Sequence, residues 1–233
     1  MTSGGTETSA GSGFGAIYAE TRQRIAELTA GLSADELALE APATPGWSVR
    51  DIVCHLTGGA ADFMSGNMEG AGGEAWTAAQ VAARRETPYD DVIGEWEKVA
   101  AQVEPAFEGG PPQMGFLIAD ISEHEHDIRG ALRRAGARDS TAVQAATQVM
   151  TGGVSRRLTG AGLGLRIRSG NQEWELGEGD PGATVTADPF DLFRALAGRR
   201  SVTQVAQWKW DGDPSPYFGL MSVFPLRATD LVE

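Results

Sequence analysis

Through the first 135 positions, apolar residues recur mainly at three- and four-residue steps. Ile17, Thr21, Ile25 and Leu28, widened by Tyr18 and Leu32, mark a helix over 14–32. Ser33-Ala-Asp-Glu36 has the form of a capping box and opens a short further turn. Ala41-Pro-Ala-Thr-Pro-Gly46 then breaks the chain. Ser48 is placed to cap the next helix, with Asp51 answering its free amides. Val49, Ile52, Val53, Leu56, Ala60 and Phe63 carry that helix's buried face. A Gly-rich link at 70–73 and a weaker helix over about 75–85 follow. Thr87-Pro88 starts a helix with Val92, Trp96, Val99 and Val103 on one side, ending before Glu108-Gly-Gly-Pro-Pro112. The fourth long helix covers roughly 115–135. Four long helices with Pro/Gly links outline an antiparallel bundle.

Beyond residue 137 the texture changes. A helix over about 140–158 leads into Leu165-Arg-Ile-Arg168 and Gln172-Glu-Trp-Glu-Leu176, two alternating runs across a Ser-Gly-Asn turn that predict a hairpin. Ala183-Thr-Val-Thr-Ala187 predicts a third strand. Asp188-Pro189 opens a helix that Gly198 closes, and a last helix near 203–208 precedes a Trp210-Asp-Gly-Asp-Pro loop. The expected fold class is α+β, with residues 1–13 a disordered leader without signal-peptide features, 14–138 a helical bundle, and 139–233 a small α+β domain.

Composition narrows the function classes. The chain has 19 basic and 32 acidic residues, a net charge of −13. That disfavours nucleic acid and anionic membranes as partners, both of which need clustered Lys/Arg. No apolar run approaches the ~20 residues a membrane helix needs. The single cysteine, Cys54, excludes an internal disulfide and fits a reducing cytoplasm. The six tryptophans read as core anchors.

All three histidines lie in two short stretches, His55 in Trp47-Ser-Val-Arg-Asp-Ile-Val-Cys-His55 and the others in Asp120-Ile-Ser-Glu-His124-Glu-His126-Asp127. On the fourth helix, Leu117, Ile121, Ile128, Ala131 and Leu132 form one stripe at about 100° per residue. His124 lies within it, and Asp120 sits about 40° away on the same side. His126 is about 160° from His124 and is expected to face outward; Glu123 and Glu125 are also expected to point away. A carboxylate and an imidazole side by side on an apolar face call for a neutralising partner. A divalent cation supplies one; a hydrogen-bonded Asp–His pair is the alternative. His55, at the edge of its helix's apolar stripe, is a candidate third ligand or else an interface histidine. Three protein ligands would leave positions open, as in catalytic zinc sites. Cys54, about 100° round the helix from His55, reads as a small core residue or a group behind the ligands. Asp211-Gly-Asp213 reads as a turn, and Gly160-x-Gly-x-Gly164 follows no strand and is no dinucleotide fingerprint.

Three stretches resemble the mycothiol-dependent maleylpyruvate isomerase-like family of the DinB-like helical-bundle superfamily. Thr44-Pro-Gly-Trp-Ser-Val-Arg-Asp-Ile-Val-Cys-His55-Leu is similar to its first-ligand motif. Asp120-x3-His124-x-His126-Asp127-Ile-Arg is similar to the pattern carrying the other two ligands. Asp188-Pro-Phe-Asp-Leu-Phe-Arg-Ala-Leu-Ala-Gly-Arg199-Arg200-Ser looks like its sterol-carrier-protein-like C-terminal domain. Two positions depart from the family: Asp120 stands where Glu is usual, and His126 where Trp is usual. The resemblance implies a DinB-like four-helix bundle binding zinc through His55, Asp120 and His124, with mycothiol as thiol co-substrate. It also implies a small electrophile as partner and Arg199 as the residue facing an anionic substrate; Arg199 and Arg200 as an exposed helix-end pair is the alternative. Cis–trans isomerisation and S-transfer both follow from thiolate addition, and the sequence does not choose between them. A non-enzymatic metal- or ligand-binding protein, such as a regulator, is the reading of a different class. Homodimers are common for such bundles, but no dimer face is marked.

Overall fold

Side-chain caps set where several of the helices begin. The computed structural model describes residues 13–108 and 115–233, so the expected leader, apart from Gly13, lies outside the described residues. Helix α1 spans Phe14–Thr29. Ser33 and Glu36 close a capping box on α2 (Ala34–Leu37), and Ser48 with Asp51 closes one on α3 (Val49–Ser65). Each box satisfies amides that the first helical turn leaves without partners. Helices α4 (Glu74–Arg84), α5 (Tyr89–Phe107) and α6 (Gly115–Leu132) follow. A core of Ile25, Ile52, Val53, Trp96, Val103, Phe107, Ile118, Ile121 and Ile128 holds α1, α3, α5 and α6 together.

Helix α7 (Thr141–Gly160) leads into a mixed sheet of β1 (Gly164–Ser169), β2 (Gln172–Gly177), β3 (Ala183–Ala187) and β4 (Lys209–Asp211), with α8 (Pro189–Leu196) and α9 (Val202–Ala206) between the last two strands. The spatial order is β2-β1-β3-β4. The hairpin pairs Ile167 with Trp174, and β3 lies parallel to β1, Ile167 opposite Val185. The link from β2 must therefore cross the start of β1. Gly164 permits this, since a Cβ there would lie 2.8 Å from the Asp180 carbonyl oxygen. The chain is thus α+β, a helical N-terminal part followed by a small mixed-sheet part. Met150, Val154, Leu158, Leu165, Ile167, Val185, Phe193 and Leu196 form the second core. The cores meet along α6 and α7, where Ala119 joins the second and Ala145 and Val149 pack on the first.

Two expectations are corrected. Strand β4 forms where a loop was expected; it is three residues long and pairs Trp210 with Val185, too short to show an alternating pattern. The second correction concerns α6. His126, Glu123 and Glu125, expected to face outward, are 3%, 4% and 0% exposed. The side of α6 away from the Asp120/His124 pair is covered by α1, α7 and the C-terminal part rather than by water. Its carboxylates are accordingly paired. Glu125 accepts from Arg24 and Arg129, Glu123 bridges Arg199 at 2.7 Å, and His126 packs edge-on against Phe190 and Phe193 of α8. His126 thus occupies an aromatic packing position, in keeping with the Trp usual there in the resembled family.

Candidate metal centre

His55 comes from the second turn of α3, which Ser48 and Asp51 start in register. Asp120 and His124 come from successive turns of α6. Asp120 Oδ1 lies 3.4 Å from His55 Nε2 and 3.6 Å from His124 Nε2, and one ligand atom from each of the three falls within 4.8 Å of the others. Neighbouring donors of a tetrahedral zinc with bonds of about 2.0–2.1 Å lie about 3.3–3.4 Å apart. The donor set and its spacing therefore fit a divalent ion, zinc included. The reach lost by having Asp rather than Glu at 120 does not prevent the carboxylate from lying near both imidazoles. Both histidines are buried, while 35% of the Asp120 side chain is open to solvent, so the site has an accessible side.

Each imidazole is oriented from behind. His124 Nδ1 donates to Asp127 Oδ2 at 3.0 Å, and His55 Nδ1 lies 2.7 Å from Gln80 Oε1. A hydrogen bond at the far nitrogen fixes the ring's orientation and leaves the near one to ligate. Asp127 is itself held by two arginines, Arg194 at 2.6 Å and Arg199 at 3.0 Å. Burial favours a protonated Asp127, but Arg199, Arg194 and the His124 bond together hold its carboxyl well below the usual range. Burial likewise opposes the His124 imidazolium, yet the Asp127 bond and Asp120 raise its pKa. Partial burial works against Asp120 ionising, and the two imidazoles outweigh it. For Glu123 burial prevails over Arg199, and its carboxyl is pushed up.

Glu123, His124 and Asp127 also have ligand atoms close together. Arg199 already bonds both of those carboxylates, so this cluster is an ion-pair network and not a second metal site. Arg199 is 8% exposed and Arg200 5%, which excludes the exposed helix-end pair. Arg200 instead bonds Asp191 and Glu233. Cys54 is fully buried with its thiol pushed up by burial and is not among the converging groups.

Trp47 and Trp76 went unread as site residues. Trp47 stacks on His124 with centroids 5.9 Å apart and meets His55 edge-on at 5.1 Å; Trp76 meets His55 at 6.3 Å. Trp47 lies in the same short stretch as His55, a signal that could have found it. Nothing in the sequence pairs Trp76 or Gln80 with His55, because only the packing of α4 on α3 brings them there.

Comparison with known proteins places this geometry in context. Residues 18–117 match the family model described as the mycothiol maleylpyruvate isomerase N-terminal domain; the match contains His55 and ends three residues before Asp120. No curated protein sequence matches the chain. Two solved structures do, a mycothiol-dependent maleylpyruvate isomerase (TM-score 0.57) and a histidine-to-alanine mutant of a mycothiol-dependent maleylpyruvate isomerase (TM-score 0.55). Each is 12% identical, over 79% of this chain and 88% of theirs. At that identity the likeness establishes the fold. Through residues 18–117 the chain is thus similar to the mycothiol maleylpyruvate isomerase N-terminal domain, and its fold is similar to that of the solved mycothiol-dependent maleylpyruvate isomerase.

Proposed function

We propose that the protein is a cytoplasmic, zinc-dependent enzyme that uses a low-molecular-weight thiol, mycothiol, to isomerise or S-conjugate a small anionic electrophile. The observation that carries this reading is the convergence of His55 Nε2, Asp120 Oδ1 and His124 Nε2 on one point with an accessible side. The family match and the likeness in fold support mycothiol as the thiol. Among the described residues no helix is long and apolar enough to cross a membrane, in keeping with small-molecule partners.

His55, Asp120 and His124 would hold the metal. When bound, the ion would lower the pKa of a neighbouring thiol so that thiolate is available near neutral pH. The chain's own groups do the rest. Asp127 and Gln80 keep both imidazoles aimed inward, and Trp47 and Trp76 wall the ligating side with apolar surface. Arg199 is the cation that would hold the carboxylate end of the electrophile, as a guanidinium does in bidentate fashion. To do so it would release one of its own carboxylates. Glu123 is the one to yield, since burial pushes its carboxyl pKa up and weakens its hold as an ion-pair partner, whereas two arginines hold that of Asp127 well below the usual range.

The test is metal content by mass spectrometry for wild type and His124→Ala, paired with a thiol-conjugation assay containing mycothiol. About one zinc per chain, lost in the variant, with turnover only when thiol is present, is the expected result. Stoichiometric metal without turnover across a broad electrophile panel would favour a binding protein. Absence of metal from both proteins would refute the site.

A further inference from the structure

Helix α4 buries only two residues, Gln80 and Val81. A glutamine in one of two buried positions of a short amphipathic helix needs a polar reason, because an unpaired buried amide is costly. We propose that Gln80 is a positioning residue that selects the tautomer of His55, with Asp62 fixing which way the Gln80 amide faces. The proposal rests on the metal reading above and deepens it, assigning which ring nitrogen of His55 carries the hydrogen and what fixes that choice.

The amide could in principle present either end to His55. Its Nε2 lies 2.7 Å from Asp62 Oδ2, and a carboxylate oxygen accepts but does not donate. The NH2 end therefore faces Asp62, and Oε1 is left facing His55 Nδ1 at 2.7 Å. A carbonyl oxygen accepts only, so Nδ1 must carry the hydrogen. In the neutral ring, the form that binds a metal, Nε2 then keeps its lone pair, and Nε2 is the atom that lies 3.4 Å from Asp120. Asp62 is held in place in turn by Asn67 Nδ2 at 2.9 Å. One directional chain thus runs from Asn67 through Asp62 and Gln80 to the ligating nitrogen.

An independent observation shows that the backbone accommodates this arrangement. A Cβ on Gly58 would lie 2.5 Å from Gln80 Cβ and 2.7 Å from its Cγ. Only glycine at that position lets α4 approach closely enough for the amide to reach His55. Asp127 serves His124 with a carboxylate, whereas Gln80 serves His55 with a neutral carbonyl, so the two imidazoles are oriented by chemically different partners.

The tautomer can be read without metal. The chain has three histidines, so long-range 15N–1H spectra of the metal-free protein resolve each ring. Wild type should show His55 protonated at Nδ1, Gln80→Leu should show a mixture, and Gln80→Glu, which keeps an acceptor there, should restore the Nδ1–H form. Zinc affinity by competition with a chromogenic chelator should fall about tenfold or more in Gln80→Leu and stay close to wild type in Gln80→Glu. Asp62→Ala, which lets the amide turn over, should lie between the two and provides a second variant should Gln80→Leu fold poorly. An unchanged His55 tautomer in Gln80→Leu, or a Gln80→Glu that loses as much affinity as the leucine variant, overturns the inference. If wild type binds no zinc yet its tautomer depends on Gln80, the metal reading fails and the orienting role stands.

Discussion

Asp127→Ala tests whether the carboxylate behind His124 also holds the two parts of the chain together. The side chain is fully buried and accepts from His124, Arg194 and Arg199 at 3.0, 2.6 and 3.0 Å. Removing one member of a buried ion pair costs about 3–5 kcal/mol when the surviving charge is stranded. Here neither arginine is stranded, because Arg194 keeps Glu233 at 2.5 Å and Arg199 keeps Glu123 at 2.7 Å. The lower end, about 3 kcal/mol, is therefore expected. For a chain of this size that corresponds to a fall in Tm of roughly 6–12 °C. The assay is thermal unfolding of chelator-treated protein, so that metal binding adds nothing to either curve. The pH dependence gives a second check. Asp127 is held below its unfolded pKa, so its contribution is full above about pH 4 and is lost as pH falls through its folded value. The gap between wild type and variant should persist from pH 8 to pH 5 and close only in stronger acid. A Tm change below about 2 °C at neutral pH, set against the 6–12 °C expected, would refute the reasoning.

His126 and Gly58 offer two further checks. Burial, reinforced by Arg194 and Arg129, pushes the His126 pKa down to about 3, so the neutral ring is favoured in the folded state. Its stability contribution is full above the unfolded value near 6.5 and is lost as pH falls from there toward 3. Between pH 7.5 and 5 wild type should lose about 2 kcal/mol from this group, measurable by urea unfolding. His126→Phe, which also removes an Nε2 that has no partner among the described residues, should not show that loss; an equal loss in the variant would contradict the assignment. Gly58→Ala should push α4 away from α3, destabilising the protein by about 1–3 kcal/mol and weakening zinc binding in the same direction as Gln80→Leu. Unchanged zinc affinity in the alanine variant would mean that the close approach at Gly58 is not what brings Gln80 to His55.

How much was legible beforehand differs from residue to residue. The starts of α2, α3 and α8 follow from Ser33, Ser48 and Asp188-Pro189, because caps act within one helical turn. The inward-facing Asp120/His124 pair follows from helical periodicity, a local property too. The same periodicity misplaced His126, Glu123 and Glu125. It fixes the angle of a side chain about its own helix axis but not what lies beyond that side, and α6 is packed on several sides at once.

The sequence by itself determined the main helices, the hairpin and the inward-facing Asp120/His124 pair, since each depends on spacing within a short segment; that His55 meets this pair was decided by the packing of α3 against α6. Tertiary structure alone decided the parallel placement of β3, the pairing of Arg194 and Arg199 with Asp127, and the seating of Gln80 and the two tryptophans around the histidines. These contacts join residues 18 to 77 positions apart. Whether they form depends on burial against distant segments and on the few places, Gly58 and Gly164 among them, where the backbone lets another element come close. No local pattern records those approaches.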